Sequence, residues 1–220
     1  MTRSLAQTTY DLMRSDVIFG RLAPSARLRL EDLRQQYGVS IPTLREVLNR
    51  LAADGFVVAE EQRGFSVAPI SAENLKELAS LRMLIEMDAL ARSLRAGDVA
   101  WESHVVAVHH KLARTEARMM AGDTSVLDQW KRYDSEFHNA LIRACGSDEL
   151  LAVHSQVFDK YLRYQMLYLT FRGAISGEEH RGMMEAALER DVPTAQAILE
   201  RHISAGVIHA LSAHEDRNGS

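Results

Sequence analysis

Apolar residues recur at helical spacing in three stretches near the start of the chain. The first stretch runs from Thr8 to Phe19, and the second, LEDLRQQYG, ends at Gly38. The third, VSIPTLREVLNRLAADG, has Ser40 as a candidate N-cap and ends at Gly55. Apolar positions three and four residues apart form one face of a helix, and glycine often follows the last helical residue. The pattern therefore predicts three helices, the last two joined by a tight turn at Gly38.

The residues after the third helix have a composition typical of strands. FVVAEE and FSVAPI are short β-branched runs on either side of the turn QRG, so they predict a β-hairpin. Between the first two helices, GRLAPSARL predicts a loop around Pro24. A helix-turn-helix followed directly by a hairpin is the order of elements in a winged helix. We therefore predict a winged helix-turn-helix DNA-binding domain over residues 1–69, with a small mixed domain that binds no ligand as the alternative.

Beyond Pro69 the pattern becomes purely helical. It predicts six helices, over residues 72–96, 99–121, 124–145, 147–172, 177–190 and 193–214. The fold class is thus predicted as mainly α, with an N-terminal winged helix-turn-helix and its small β-hairpin followed by an all-α six-helix bundle. The bundle is predicted over residues 70–216, and a polar tail over residues 217–220.

Composition limits the classes of protein to which the chain can belong. Hydrophobic residues make up 46% of the 220, which is enough to build a real core. The single cysteine, Cys145, excludes an internal disulfide and is expected to be buried. Neither an apolar run long enough to span a bilayer nor a signal peptide is present, so we expect a soluble, cytoplasmic protein without a membrane partner.

The net charge of −4 hides an uneven distribution of basic residues. Residues 1–69 contain nine arginines, no lysine and eight acidic residues, whereas the remainder of the chain contains 17 basic and 22 acidic residues. Guanidinium groups suit planar contacts to phosphates and guanine edges. The arginine bias therefore supports DNA as the partner of the first domain, although the whole chain is acidic.

The third predicted helix offers side chains that suit the reading of DNA. Thr43 and Arg45 lie in its first turns, away from its apolar face, where a recognition helix meets base edges in the major groove. Arg45 is predicted to donate two hydrogen bonds to a guanine, and a solvated arginine is the alternative. Arg63 and Gly64, at the tip of the predicted wing, suit a minor-groove or phosphate contact, and Arg34 is a candidate for another phosphate contact.

Several stretches together match the pattern of a known family. They are FGRLAPSARLRLEDLRQQYGVSIPTLREVLNRLAADGFV, QRGFSVAPIS, LRMLIE, YDSEFHNAL and EHRGMMEAALERDVPTAQAILERHI. In this order they resemble the GntR family of bacterial transcription regulators, within it the FadR-like branch with an FCD-type effector domain. Six C-terminal helices are more similar to the VanR-like subgroup than to FadR itself. The resemblance implies a homodimer on a two-fold symmetric DNA operator. Ile41 departs from the pattern, because family members commonly carry arginine there, so a DNA contact at this position is not carried over.

The stretch YDSEFHNAL carries candidate metal ligands. Asp134 and His138 are four residues apart, so their side chains share one face of a helix and can hold the same atom. His180 and His202 lie on the last two predicted helices, in stretches that resemble the family's metal-binding pattern. The resemblance implies all four as ligands of a divalent ion such as Zn²⁺, Ni²⁺, Mn²⁺ or Fe²⁺, and hydrogen-bonded core residues are the alternative. The remaining histidines match no such pattern and are expected at the surface or in packing: His104, His109, His110, His154, His209 and His214.

An effector is also implied by the resemblance. Arg82, in LRMLIE, falls where the family has an arginine facing the effector cavity, and a guanidinium beside a metal favours a small organic carboxylate. An ion pair with Glu86, one helical turn away, is the alternative. The predicted function is a transcriptional regulator whose operator affinity responds to this acid, with a regulator that senses the metal itself as the second hypothesis. The chain has no H-E-x-x-H and no glutamate three residues before a histidine, so we predict that it is not an enzyme.

Overall fold

The computed structural model describes residues 3–60, 64–168 and 171–218. Contacts within the chain divide it into two compact units. The first contains Met1–Leu75 together with Leu162–Leu167, and the second contains Lys76–Tyr161 together with Tyr168–Ser220. The first unit therefore holds the predicted winged helix, and the second holds most of the predicted bundle.

The N-terminal part of the first unit is a helix-turn-helix with a small antiparallel sheet. Its elements are α1 (Leu5–Ile18), β1 (Arg27–Leu28), α2 (Leu30–Tyr37), α3 (Ile41–Ala53), β2 (Val57–Glu60) and β3 (Gly64–Val67). β3 lies between β1 and β2 and is antiparallel to both. In this register Val57 pairs with Val67, which confirms the predicted hairpin.

One strand of this sheet corrects the sequence prediction. GRLAPSARL, predicted as a loop, contains β1, in which Arg27 pairs with Ser66 and Leu28 pairs with Phe65. A two-residue strand is too short to produce an alternating pattern. Its formation depends on the free edge of β3, which lies far away in sequence and is not visible to a local analysis.

The start of α3 is fixed by local chemistry. Gly38 has φ +68°, in the left-handed region that favours glycine, and it ends α2 and turns the chain. The side-chain oxygen of Ser40 then accepts a hydrogen bond from the backbone N–H of Thr43 and caps the new helix. The predicted apolar face of α3 is fully buried in the core of the unit: Leu44, Val47, Leu48 and Leu51. The other face of α3 is therefore left at the surface.

Six further α-helices follow within the described residues, as predicted. They are α4 (Ala72–Ala96), α5 (Val99–Met120), α6 (Leu127–Ile142), α7 (Asp148–Tyr168), α8 (Ala174–Leu188) and α9 (Val192–Asn218). A short 3₁₀ helix, Thr124–Val126, precedes α6. In the second unit, α5 packs against α6 and α8, and α8 packs against α9.

The ends of these helices differ from the predictions by a few residues. The helix predicted over 124–145 is shorter, since α6 ends at Ile142. α8 starts at Ala174, before the predicted start at 177. α9 continues to Asn218, into the predicted polar tail, because charged and polar residues can continue a helix. Among the helices of the described residues, none has both the length and the apolar character needed to cross a bilayer.

Candidate metal centre and DNA-facing helix

The predicted DNA-reading residues of α3 lie at the surface of the first unit. Arg45 is exposed, and Thr43 is half-buried. Arg45 and Ile41 line a shallow depression that they share with Arg27, Arg29 and acidic side chains of α2. Arginines around a recognition helix suit phosphate and base-edge contacts with DNA.

The other residues predicted to contact DNA are Arg34, Arg63 and Gly64, and the structure describes two of them. Arg34 is exposed on α2, with its Nε 2.9 Å from Oε2 of Glu31. Gly64 is exposed at the start of β3 with φ +90°. Arg63, predicted at the tip of the wing, lies outside the described residues. Its contact with DNA therefore stays a prediction.

The four predicted metal ligands come together inside the second unit. α6 carries Asp134 and His138, α8 carries His180, and α9 carries His202. All four side chains are buried, and each offers one ligand atom within 4.8 Å of the others. The four-residue spacing on α6 aligns its two ligands, and the packing of α8 and α9 brings the other two beside them. Three imidazoles and one carboxylate around a common point form a donor set that suits a divalent transition metal.

Hydrogen bonding provides a separate test of whether these residues fit a metal. Nε2 of His138 and Nε2 of His180 are buried and have no hydrogen-bond partner within the described residues. Nε2 of His180 faces Oδ1 of Asp134 at 3.4 Å. Buried polar atoms are normally satisfied, so two imidazole nitrogens without a hydrogen bond, in residues that share one cluster, need an explanation. A metal ion would satisfy both nitrogens, and the residues therefore fit one.

In His180 and in His202, Nδ1 contacts a carboxylate from a different helix. Nδ1 of His180 lies 2.7 Å from Oε1 of Glu116 on α5. Nδ1 of His202 lies 2.9 Å from Oε2 of Glu179 on α8. Metal-ligating histidines usually donate their second N–H to a carboxylate or carbonyl in this way. Glu179 also accepts a hydrogen bond from Arg172.

His138 has different surroundings. Its Nδ1 lies 3.2 Å from Nη2 of Arg82 and 3.6 Å from Oε2 of Glu86. A guanidinium only donates hydrogen bonds, so a bond from Arg82 requires a lone pair on Nδ1 and a proton on Nε2. A bond to Glu86 requires the opposite tautomer. Only the second tautomer leaves Nε2 free to bind a metal.

Charge and burial perturb the titration of Asp134 and His180. Burial would raise the pKa of Asp134, but the ammonium of Lys131 and the ring of His180 hold it well below its usual range. Burial would lower the pKa of His180, but the carboxylates of Asp134 and Glu116 raise it to about 9. Without a metal, Asp134 is therefore ionised and His180 protonated at neutral pH.

The other two imidazoles are shifted in the opposite direction. Burial lowers the pKa of His138, and the nearby Arg82 lowers it further. Burial also lowers the pKa of His202, to about 3, against the opposing effect of its bond to Glu179. Both rings are neutral at physiological pH, which is the state that a metal ligand needs.

Arg82, predicted as the effector residue, forms the ion pair that was its alternative. Nε of Arg82 donates to Oε1 of Glu86 at 2.8 Å, and its Nη2 donates to Oε2 at 3.2 Å. The guanidinium is also stacked against Phe158 and Tyr161, with its carbon 4.5 and 4.7 Å from the ring centres. Oε1 of Glu86 lies 2.6 Å from Nε2 of His154 as well. A contact between Arg82 and an effector stays a prediction.

Sequence reasoning assigned no role at the cluster to the charged residues that surround the four ligands. They are Glu86, Glu116, Lys131 and Glu179, all buried. Lys131 had a usable signal, because it lies three residues before Asp134 on the same face of α6, with Nζ 3.5 Å from Oδ2 of Asp134. Glu86 was expected only as the alternative partner of Arg82, and Glu116 had no signal, since it reaches the cluster from a helix distant in sequence.

Comparison with known proteins identifies the class. Residues 5–67 match the bacterial regulatory proteins of the gntR family, and residues 77–205 match the FCD domain. The HTH-type transcriptional regulator BphR of Paraburkholderia xenovorans is 35% identical over 93% of this chain and 84% of its own length. The HTH-type transcriptional repressor GlaR of Escherichia coli is 29% identical over 88% of this chain and 90% of its own. The solved structure of E. coli McbR/YncC, at 18% identity, has the same fold, with a TM-score of 0.83 over 97% of this chain and 100% of that one.

A winged helix-turn-helix joined to an FCD domain defines a class of DNA-binding transcription regulators. This chain belongs to the GntR family of that class. It is therefore a transcriptional regulator and not an enzyme, and both the sequence resemblance and the predicted fold class are confirmed. Its assignment to the VanR-like subgroup stays a prediction.

Proposed function

We propose that this regulator binds a two-fold symmetric operator as a homodimer in the cytoplasm, and that a small organic acid bound over a divalent metal controls its affinity for DNA. Residues 1–69 would hold the operator, and residues 70–216 would hold the metal, the acid and the second protomer. The observation that carries the proposal is the buried cluster of one carboxylate and three imidazoles, whose ligand atoms lie within 4.8 Å of one another.

Asp134, His138, His180 and His202 would hold the metal. When bound there, a divalent ion supplies a positive centre with positions left for water or an oxygen ligand. Burial of all four side chains supports tight retention, because each ligand is shielded from bulk solvent and fixed by its helix. The donor set is compatible with Zn²⁺, Ni²⁺, Mn²⁺ or Fe²⁺.

The charge of the site supports an anionic effector. With neutral imidazoles, four carboxylates face three largely buried cations in and around the cluster: Asp134, Glu86, Glu116 and Glu179 against Arg82, Lys131 and Arg172. A fourth cation, Arg201, lies 3.6 Å from Glu179 but is exposed to solvent, where its charge is screened. Without a metal, the proton on His180 brings these groups to zero net charge, and a divalent ion that replaces this proton leaves one net positive charge. An uncompensated buried charge is costly, so the metal-loaded site favours a bound monoanion such as a carboxylate.

The surroundings of His138 support a role for Arg82 in holding that acid. For Nε2 of His138 to offer a lone pair to the metal, its proton must sit on Nδ1. Nη2 of Arg82, 3.2 Å away, then has no acceptor on the ring. One guanidinium N–H is thus released toward a carboxylate, while the bonds from Arg82 to Glu86 persist. Charge-assisted bonds of this kind are among the stronger hydrogen bonds in proteins.

The winged helix would supply the contacts to DNA. Arg45, exposed on α3, is proposed to read a guanine, and Thr43 to contact the same groove. Arg34, Arg63 and Gly64 are proposed to contact the backbone or the minor groove. Because one such domain makes few contacts, a homodimer with two half-sites gives the larger footprint that specific binding needs.

The test is a measurement of operator affinity with and without defined acids. The metal-loaded regulator is titrated with a labelled fragment of its own promoter region, in the presence of acetate, lactate, succinate or citrate, and the dissociation constant is read from fluorescence anisotropy. We expect at least one acid to change the affinity about 5- to 150-fold, and Asp134→Ala to abolish that response. A full panel of small carboxylates without effect would refute acid control.

A regulator that senses the metal itself is the second candidate, favoured by the same four ligands. It predicts that the metal alone changes operator affinity and exchanges freely. The titration is therefore repeated without acids, with chelated and metal-loaded protein. A change of affinity with metal alone would favour the sensing function over acid control.

A further inference from the structure

Two carboxylates contact the imidazoles of the four candidate ligands at the nitrogen that is not the proposed ligand atom. The side chain of Glu116 on α5 is buried, and its Oε1 lies 2.7 Å from Nδ1 of His180. Oε2 of Glu179 on α8 lies 2.9 Å from Nδ1 of His202. Each carboxylate thus contacts the nitrogen that a metal would leave unused.

We propose that Glu116 is a positioning residue for the metal, acting through His180, and that Glu179 acts in the same way through His202. The inference rests on the proposed function, since it assumes that the cluster holds an ion. A carboxylate that accepts the Nδ1 proton fixes the tautomer with its lone pair on Nε2, holds the plane of the ring and makes the imidazole more basic. All three effects strengthen binding at Nε2.

The packing of α5 against α8 supports a dedicated role for Glu116. A Cβ at position 177 would lie 3.3 Å from Oε2 of Glu116, so the glycine there leaves room for the carboxylate one turn before His180. Glu179, in contrast, is shared: it also accepts a hydrogen bond from Arg172 and lies 3.6 Å from Nε of Arg201. Glu116 is therefore the sharper subject for an experiment.

Glu116→Gln tests the proposal by removing the charge while keeping the shape and an acceptor oxygen. Affinity for Zn²⁺ and for Ni²⁺ is measured by competition with a chromophoric chelator. We expect a loss of about 10- to 100-fold, the range found for outer partners of metal ligands. Glu102→Gln is the matched control, because Glu102 lies on the same helix and pairs with Arg190. This control should keep the affinity of the wild-type protein.

A double-mutant cycle separates positioning from a general loss of structure. In a His180→Ala background the ring through which Glu116 acts is absent, so Glu116→Gln should cause no further loss of metal affinity. Equal losses in both backgrounds would overturn the proposal. If the glutamine variant does not fold, Glu116→Asp takes its place. Aspartate keeps the charge but is one methylene shorter, so the loss of affinity is expected again.

The outcomes also distinguish this inference from the proposed function. Wild-type protein that takes up neither Zn²⁺ nor Ni²⁺ would refute the metal site, and the inference with it. Wild-type protein that binds metal, with Glu116→Gln binding equally well, would overturn only the role of Glu116.

Discussion

Replacing Arg82 with methionine tests how much the buried ion pair contributes to the second unit. The side chains of Arg82 and Glu86 are each 1% exposed, and two hydrogen bonds join them. Methionine fills a similar volume and retains apolar contact with Phe158 and Tyr161. The substitution therefore removes the charge and the donors, and it leaves a carboxylate buried beside His138 and His154 without its cation.

The expected loss in the free energy of unfolding follows from the burial of the pair. Removing one partner of a buried ion pair costs about 3–5 kcal/mol, because the remaining charge is left in a low dielectric. For a chain of this size each kcal/mol lowers the melting temperature by about 2–4 °C, so a decrease of about 6–20 °C is expected. The two tryptophans, Trp101 and Trp130, both lie in the second unit, so their fluorescence follows its thermal unfolding in metal-free protein.

The double substitution Arg82→Met with Glu86→Met is the control. It removes both charges, so it should be less destabilising than Arg82→Met alone, although His154 loses its carboxylate partner. A single substitution that costs less than about 1 kcal/mol would refute the reasoning, because an exposed or well-hydrated pair behaves in that way. So would a double variant whose cost equals the sum of the two single costs.

Three further predictions concern local packing, capping and pH. Gly97→Ala should destabilise the second unit by about 1–3 kcal/mol in urea unfolding, because the added Cβ would lie 2.3 Å from Cε3 of Trp101; an unchanged midpoint would contradict this clash. Ser40→Ala should cost about 1 kcal/mol in thermal stability through the lost cap of α3, whereas Ser40→Asp should retain the cap. Burial and the carboxylate of Asp54 raise the pKa of Tyr10 to about 12. The protonated hydroxyl of Tyr10 therefore stabilises the folded protein below the unfolded pKa of 10, and this stabilisation is lost as pH rises from 10 to about 12. Tyr10→Phe should lack that loss, and identical pH profiles of the two proteins in urea unfolding would contradict the assignment.

Much of the fold was predictable from local signals. The cap at Ser40, the turn at Gly38 and the apolar face of α3 are all consequences of neighbouring residues, and each is found as predicted. β1 was not predictable, because two residues carry no period and the strand exists only by pairing with β3. The extension of α9 to Asn218 was missed because polar residues were interpreted as a tail, although they can continue a helix.

The candidate site was predictable in a more limited sense. Helical periodicity alone aligned Asp134 with His138, whereas His180 and His202 joined them only through the family resemblance. Among the partners of the imidazoles, Glu116 lies outside every stretch that carries the resemblance, and the packing of α5 against α8 brings it close to His180. The ion pair between Arg82 and Glu86, which was the alternative interpretation of Arg82, was predictable directly from their i, i+4 spacing.

The arrangement of the ligands links metal binding to the packing of the second unit. The four ligands come from α6, α8 and α9, and their outer partners come from α4, α5 and α8. No single helix can therefore form the site, and a ligand that binds only the assembled form stabilises it by mass action. An acid bound over the metal can change the function of the protein only if it contacts two arrangements of these helices differently. In the proposed metal-loaded state, His138 no longer accepts a bond from Arg82 on α4, so an acid whose carboxylate reached that N–H in only one arrangement would favour that arrangement.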